Sequence, residues 1–328
     1  MHKLISLVLI FLLLASGAFS AEIPENSAAP QASPEPVVKP DILNLGGYLV
    51  LVNRDNRISR TYEPEDLVLP KVETRKKSLQ ERIYLRQDAA SALEQMFAAA
   101  LNEKGYILYA TSGYRSFGIQ QILFNAKVEE VGSKSKAQYR VAPAGTSEHQ
   151  LGLAMDIQAP SHLNLSQAFG DTEEGKWAGE NAHRFGYILR YKTEWRDITG
   201  ISDEPWHFRY VGIAHATAMF ELDMPLETYV SYLEKLPEYV LTRGSHPLLT
   251  GLVSDLMNER QPQHLDLLFN TQPGEEEAAL KLATEPYLQD GLTYEQAMWY
   301  AYPTPKPTAA PWVDTDEEVE VSGSKSGL

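Results

Sequence analysis

Apolar and polar residues recur along the central part of the chain with spacings that predict both helices and strands. In residues 86–105, apolar side chains repeat every three or four positions, which predicts a helix. Asp88 is expected to cap this helix and Gly105 to end it. A strand is then expected over 106–111, followed by a second helix that ends near Gly132.

Residues 151–158 alternate cleanly between two faces, as a strand does. One face carries the large apolar side chains, and the other carries Gly152, Ala154 and Asp156. Because glycine and alanine fill little space, the second face is expected to leave a hollow beside the carboxylate. An unpaired buried charge is costly, so Asp156 must reach solvent or meet a cation.

Further elements follow the same two spacings. They are a strand that runs into a polar turn over 46–56, a helix over 174–185 ending at Gly186, strands over 187–191 and 207–211, and a helix over 225–236. Helices and strands are interleaved, but the strands are few and short. The expected fold class is therefore α+β, with a small antiparallel sheet flanked by helices, rather than a doubly wound parallel sheet.

The two ends of the chain differ from this central block of residues 43–236. Residues 1–20 have the composition of a secretory signal peptide, with an uncleaved membrane anchor as the alternative. Residues 21–42 are a Pro-rich linker. Short helical patterns over 237–302, including a capping box at Thr293–Gln296, predict a C-terminal extension of unknown role. Residues 303–328 are expected to be a disordered Pro-rich and acidic tail.

The composition excludes several classes of function. A net charge of −15 disfavours nucleic-acid binding, which needs clustered Lys and Arg. The chain has no cysteine, so it has no disulfide, thiol nucleophile or thiolate metal site. Any metal ion must be held by His, Asp or Glu.

Two segments contain residues suited to metal-assisted hydrolysis. His149 lies in a turn just before Asp156, and His207 opens the strand that follows Glu204-Pro205. Two imidazoles and one carboxylate are three ligands, which would leave the fourth position of a tetrahedral zinc ion for water. Glu204 would then accept a proton from that water.

Simpler interpretations of these residues remain open from the spacing alone. A histidine is most often an ordinary surface or core residue. Asp156 could pair with an arginine instead of a metal ion, and Glu204-Pro205 could be only a turn.

Three motifs resemble the VanY-type zinc D,D-carboxypeptidases, which are related to L,D-carboxypeptidases and to hedgehog-type domains. They are SGYRSFGIQ (112–120), GTSEHQLGLAMDI (145–157) and EPWHFRYVG (204–212), in that order. The resemblance extends over roughly residues 43–236 and implies a single catalytic domain of the hedgehog/DD-peptidase type.

The resemblance implies one zinc ion per chain and a role for each motif residue. The implied roles are His149, Asp156 and His207 as zinc ligands, Glu204 as catalytic base, Arg115 as the group that binds the substrate carboxylate or polarises the scissile carbonyl, and Gln120 and Ser147 as substrate contacts. Asp203 departs from the family pattern, which commonly has an aromatic residue there. We expect its charge to raise the pKa of Glu204 or to alter the substrate preference.

The function expected is removal of the terminal D-alanine from peptidoglycan stem peptides by an exported enzyme, which would contact a membrane only through a retained N-terminal anchor. One alternative is cleavage of another bond in the same stem peptides, as an L,D-carboxypeptidase or endopeptidase. Another is a non-catalytic peptidoglycan-binding module. A serine peptidase is excluded, because Ser133–Lys136 matches S-x-x-K but S-D-N and K-T-G are absent.

Overall fold

The structure of the protein is a computed structural model. The structure describes residues 47–75, 82–261, 264–288 and 293. The segments expected to be signal peptide, linker and tail lie outside these residues, as does most of a capping box expected at Thr293–Gln296. Among the residues described, no helix combines the length and the apolar character needed to cross a bilayer.

The centre of the molecule is a four-stranded antiparallel sheet with the strand order β3–β4–β6–β5. Its strands are β3 (Tyr109–Ser112), β4 (Ala154–Gln158), β5 (Tyr187–Leu189) and β6 (His207–Tyr210). A second antiparallel sheet pairs β1 (Leu67–Val68) with β2 (Leu85–Arg86). The predicted α+β class with a small antiparallel sheet is therefore confirmed.

The α-helices of the described residues lie before, between and after the strands. In chain order they are α1 (Gln87–Lys104), α2 (Phe117–Val131), α3 (Lys134–Ala137), α4 (Glu173–Asn181), α5 (Arg196–Thr199), α6 (Ile213–Leu222), α7 (Leu226–Leu233), α8 (Glu238–Arg243), α9 (His246–Met257), α10 (Leu265–Phe269) and α11 (Glu276–Thr284).

Helix α1 agrees with its predicted apolar spacing but not with its predicted cap. Leu93 and Met96 are fully buried in the core that includes the sheet, and Gly105 ends the helix with φ of 73°. The N-cap is Arg86 instead of Asp88, because β2 runs directly into the helix and its last residue occupies the capping position. Asp88 lies in the first turn, where a negative charge favours the positive end of the helix dipole.

The strand predicted over 46–56 is wrong for its described part, because residues 47–56 form no strand. Val50 and Val52 are buried as the apolar pattern requires. The carbonyl of Val50, however, accepts a hydrogen bond from the guanidinium of Arg209 at 2.9 Å, in place of a neighbouring strand. The side chain of Asn53 then closes the turn by accepting from two backbone N–H groups.

The strand predicted over 151–158 begins later than expected. A 3₁₀ turn covers 148–151, and Gly152 follows with φ of 67°, a conformation that suits glycine. Strand β4 is central in the sheet, and all five of its residues are buried. Asp156 therefore does not reach bulk solvent and needs cationic partners.

Helices α6 to α11 build a second apolar cluster, which also includes Ile188 and Val211 beside the sheet. Leu248, Leu249 and Leu252 of α9 are fully buried in it. Of the segment predicted as a helical C-terminal extension over 237–302, the described residues contain α8 to α11, and the extension itself stays a prediction. These helices pack on the same cluster as α6 and α7, and the domain boundary at 236 stays a prediction.

We predict that Gly186→Ala destabilises the protein more than Gly105→Ala does. Both glycines end helical segments at positive φ, 82° and 73°, which costs a non-glycine residue about 1–2 kcal/mol. An added Cβ at Gly105 meets nothing within 4 Å, whereas at Gly186 it lies 2.8 Å from the Tyr210 ring and 3.0 Å from the backbone of Gly212. This crowding should add about 1–3 kcal/mol.

Urea unfolding of the two variants measures the difference, and Gly105→Ala is the control for the backbone conformation alone. Equal losses of unfolding free energy would contradict the close approach at Gly186.

Candidate metal centre and active site

The register of β4 and β6 places Asp156 beside His207. These two residues are direct partners in the antiparallel pair. Side chains directly opposite each other in such a pair project from the same face of the sheet. Nδ1 of His207 consequently lies 3.1 Å from Oδ1 of Asp156.

The 3₁₀ turn before β4 brings His149 to the same carboxylate oxygen. Its Nδ1 lies 2.7 Å from the carbonyl oxygen of Gly113. Because a carbonyl only accepts hydrogen bonds, Nδ1 carries the ring proton and Nε2 keeps its lone pair. Nε2 lies 3.4 Å from Oδ1 of Asp156 and has no hydrogen-bond partner among the described residues.

His149, Asp156 and His207 form a group that we name the metal cluster. Each offers one ligand atom, all these atoms lie within 4.8 Å of one another, and all three residues are buried. The imidazole planes are inclined at 81°, with centroids 4.8 Å apart, so the two rings approach from different directions. A buried, unpartnered imidazole nitrogen next to a carboxylate fits a divalent cation between them.

Arg115 shares the carboxylate with the two histidines. Its guanidinium lies 3.6 Å from Oδ2 of Asp156 and donates to the Ser112 hydroxyl at 3.2 Å. The alternative of an Asp156–arginine pair is thus realised together with the metal cluster. The Arg115 side chain is 20% exposed, so part of it remains accessible from the cavity in front of the cluster.

The charges of the cluster hold the two histidines in different protonation states. Burial, and secondarily the charge of Arg115, lower the pKa of His149 to about 4. Burial has the same tendency at His207, but hydrogen bonds with Asp156 and Glu148 outweigh it and raise the pKa to about 9. Without a metal ion, therefore, the proton near Asp156 belongs to His207, and His149 is neutral.

Asp156 itself stays ionised. Burial acts to raise the pKa of this carboxyl group, but the neighbouring histidines and the guanidinium of Arg115 together place it well below its usual range. A permanently charged carboxylate in the centre of a sheet is a suitable ligand for a cation.

Glu204 lies at the edge of the cluster in a different electrostatic environment. Its Oε2 is 3.9 Å from Nδ1 of His207, and its side chain is 15% exposed. Burial raises the pKa of Glu204 to about 8, and the charge of Asp156 acts in the same direction. The charge of Asp203 also raises it, as expected, although burial is the larger cause. Glu204 can therefore gain and lose a proton near neutral pH.

Gln120 and Ser147 line the same cavity as the cluster. Gln120 is 1% exposed, and its side-chain amide donates to the carbonyl of Ala142 at 2.7 Å, while its Oε1 has no partner among the described residues. The cavity has a volume of about 1410 Å³ and also reaches Arg115 and Glu204. This volume exceeds that of most small-molecule pockets.

Glu148, which no motif in the sequence singled out, lies next to His149 and is fully buried. One oxygen of Glu148 accepts from Arg190 at 2.9 Å and from Arg209 at 2.8 Å, and the other lies 3.5 Å from Nε2 of His207. Burial acts to raise the pKa of Glu148, but the two guanidinium groups hold it well below its usual range. The sequence contained one signal for a buried acidic partner, because Arg190 and Arg209 lie within the short strands predicted over 187–191 and 207–211.

Comparisons with known proteins agree with this geometry. The family profile described as VanY, D-alanyl-D-alanine carboxypeptidase, matches residues 82–213. The Bacillus subtilis (strain 168) protein YodJ, named as a carboxypeptidase, is 44% identical over 196 residues, which are 60% of this chain and 71% of YodJ. A D-alanyl-D-alanine carboxypeptidase of Enterococcus faecalis is 39% identical over 192 residues, 56% of this chain and 65% of that protein.

A solved structure with the same fold is the LD-carboxypeptidase LdcB. It is 43% identical, with a TM-score of 0.53, and the match covers 56% of this chain and 86% of LdcB. The three residues of the metal cluster and Glu204 all lie within residues 82–213, which the family profile matches. The chain therefore belongs to the VanY family of D-alanyl-D-alanine carboxypeptidases, which are metallopeptidases.

Proposed function

We propose that this protein is a zinc-dependent D,D-carboxypeptidase that removes the terminal D-alanine from peptidoglycan stem peptides. The observation that carries the proposal is the convergence of His149, Asp156 and His207 on one cavity, with Glu204 at its edge. The relatives named above support the substrate class.

Zinc is the metal that suits this cluster best. The ligands are two imidazoles and one carboxylate, and the chain has no cysteine to bind a softer ion. When bound, zinc supplies Lewis-acid chemistry: it polarises a carbonyl group and lowers the pKa of water.

Glu204 is proposed to move the proton during hydrolysis. Its carboxylate accepts a proton from the attacking water as the scissile peptide bond is broken, and the acid formed then donates that proton to the leaving amine of D-alanine. A pKa raised towards neutrality by burial suits both steps, because the group must accept and release the same proton.

Arg115 is proposed to bind the substrate. A planar guanidinium forms paired hydrogen bonds with a carboxylate, and a carboxypeptidase must recognise a free C-terminus. The Arg115 side chain is 20% exposed and lines the cavity, so part of it is accessible to the substrate. Gln120 and Ser147 line the same cavity and are proposed as further contacts.

A second candidate function is L,D-carboxypeptidase activity. It is favoured by the 43% identity with LdcB, an LD-carboxypeptidase whose structure is described in terms of peptidoglycan recognition. The two activities share the catalytic groups and differ in the residue that precedes the cleaved bond. Both substrates lie in the cell wall, so we also propose that the protein is exported, in keeping with the composition of residues 1–20.

Mass spectrometry of purified muropeptides after incubation with the zinc-loaded protein tests the proposal. We expect pentapeptides to become tetrapeptides and tetrapeptides to remain intact. Conversion of tetrapeptides to tripeptides would identify the L,D-carboxypeptidase, and cleavage of cross-linked dimers would identify an endopeptidase. No product from any substrate, with zinc bound, would leave the non-catalytic module as the explanation.

Substitution of the metal cluster and of the base should separate binding from catalysis. We expect Glu204→Gln to keep bound zinc but lose about 10²- to 10⁴-fold in kcat, because proton transfer is removed. His207→Ala should lose both zinc and activity. Elemental analysis and the rate of D-alanine release measure the two effects, with Glu194→Gln as an exposed-carboxylate control. A Glu204→Gln enzyme with near-normal kcat would contradict the proposed role.

The raised pKa of Glu204 also predicts a pH-dependent stability of the zinc-free protein. In the folded protein the carboxyl group of Glu204 has a pKa of about 8, compared with 4.5 for an ordinary glutamate. Proton binding by Glu204 therefore stabilises the folded state fully when the pH is below the pKa of the unfolded state. This stabilisation is lost as the pH rises through the pKa of the folded state. The unfolding free energy of the wild type should fall relative to that of Glu204→Gln between about pH 5 and pH 8.

Urea unfolding of both proteins in the presence of a chelator provides this comparison. Because the other titrating groups are common to the two proteins, their effects largely cancel in the difference. A difference that stays constant across the range is the result that would speak against a raised pKa.

A further inference from the structure

Behind the metal cluster lies a group of charges that the proposed hydrolysis does not use. Its members, which we name the rear charge network, are Glu148, Arg190, Arg209 and Glu227. Glu148, Arg190 and Arg209 have side chains at most 1% exposed, and that of Glu227 is 12% exposed. The network contains two positive and two negative charges, so it is balanced.

The network meets the cluster at the outer nitrogen of His207. Nδ1 of this imidazole faces Asp156, while Nε2 lies 3.5 Å from Oε2 of Glu148, within ion-pair distance. Among the described residues, neither Nε2 of His207 nor Oε2 of Glu148 has a hydrogen-bond partner elsewhere. Among the described residues, this ion pair is therefore the polar contact that the two buried atoms share.

Glu148 is held so that only one of its oxygens is available to His207. Oε1 accepts from Arg190 at 2.9 Å and from Arg209 at 2.8 Å. The Arg209 guanidinium is fixed in turn by the backbone carbonyls of Tyr48 and Val50. The carboxylate consequently has little rotational freedom, and Oε2 stays directed at the imidazole.

Arg190 is itself fixed by a residue beyond the end of the family match at residue 213. Its two terminal nitrogens donate to the two oxygens of Glu227, at 2.9 and 2.7 Å. Glu227 belongs to α7, which packs in the second apolar cluster. The bidentate pair therefore connects this helix to the carboxylate behind His207.

We propose that Glu148 is a positioning residue for His207, and that Glu227 supports it through Arg190. A ligating histidine commonly donates its outer N–H to a carboxylate, which fixes the tautomer and the orientation of the ring. Glu148 keeps the ring proton on Nε2 and so leaves the lone pair of Nδ1 for a metal ion. This proposal rests on the proposed metal centre and assigns its support to residues outside it.

Replacing the carboxylate of Glu148 with an amide keeps the size of the side chain and changes only its ability to accept a hydrogen bond from His207. In Glu148→Gln, the oxygen of the amide can still accept from the two arginines, so its NH₂ group faces Nε2 of His207. Because that NH₂ group cannot accept a hydrogen bond, it favours the tautomer with the proton on Nδ1, which competes with metal binding.

The test is to measure metal binding of the full chain in the absence of any peptide. Zinc affinity is obtained by competition with a chromophoric chelator, and the visible spectrum of the Co²⁺-substituted protein reports the geometry of the site. The variants are Glu148→Gln and Glu227→Gln. The first control is Asp223→Asn, which removes the exposed ion pair with Lys192. The second is Leu252→Ala, which should lower the melting temperature because it leaves a cavity in the second apolar cluster.

We expect Glu148→Gln to weaken zinc binding by about 10- to 100-fold and to change the Co²⁺ spectrum. Glu227→Gln should weaken zinc binding in the same direction by a smaller factor. Both controls should keep the wild-type affinity and spectrum, although Leu252→Ala melts at a lower temperature.

Unchanged zinc affinity and an unchanged spectrum in both network variants would overturn the proposal and leave the network a purely structural role. If Glu148→Gln does not fold, Glu227→Gln decides alone, and wild-type affinity in that variant overturns the proposal. Failure of the proposed function is distinct, because it would show as intact stem peptides while the differences in zinc affinity remained.

Discussion

The buried carboxylate of Asp156 is the charge on which the centre of this molecule depends. It lies in β4, one of the two central strands of the sheet, and its side chain is 4% exposed. An unpaired charge in such a place would be strongly unfavourable. Two imidazoles and one guanidinium lie 3.1, 3.4 and 3.6 Å from its oxygens. The same arrangement that makes this charge tolerable makes the site suitable for a metal ion, because each imidazole offers a nitrogen to the space beside the carboxylate.

Three carboxylates within a short distance of His207 have different environments and therefore different properties. Asp156 is surrounded by cationic or polarised groups, so its pKa lies below the usual range. Glu148 is paired with two arginines and is also held ionised. Burial raises the pKa of Glu204 to about 8, because it outweighs the opposing charges of His207 and Arg115. Separated pKa values of this kind distinguish a proton-transfer group from permanently charged ones.

Local patterns in the amino-acid sequence predict the main helices, and the family motifs indicate the residues of the metal cluster. The apolar spacing of α1 and its end at Gly105 are local properties, because a helix buries one face and glycine accepts positive φ. The alternation before Asp156 likewise showed a carboxylate beside small residues. The motifs then indicated that His149 and His207 belong with it, and the structure brings all three within 4.8 Å.

The partners of the buried polar groups could be identified only from the three-dimensional arrangement of the strands. Val50 is buried without a strand, because the guanidinium of Arg209, 159 positions away, binds its carbonyl. Glu148 faces His207 because Arg190 and Arg209, 42 and 61 positions away, fix its other oxygen. Periodicity reports which face of an element is apolar, and it depends on near neighbours alone. Hydrogen bonds and ion pairs join distant parts of the chain, so their partners are defined only when the strands have taken their order and register.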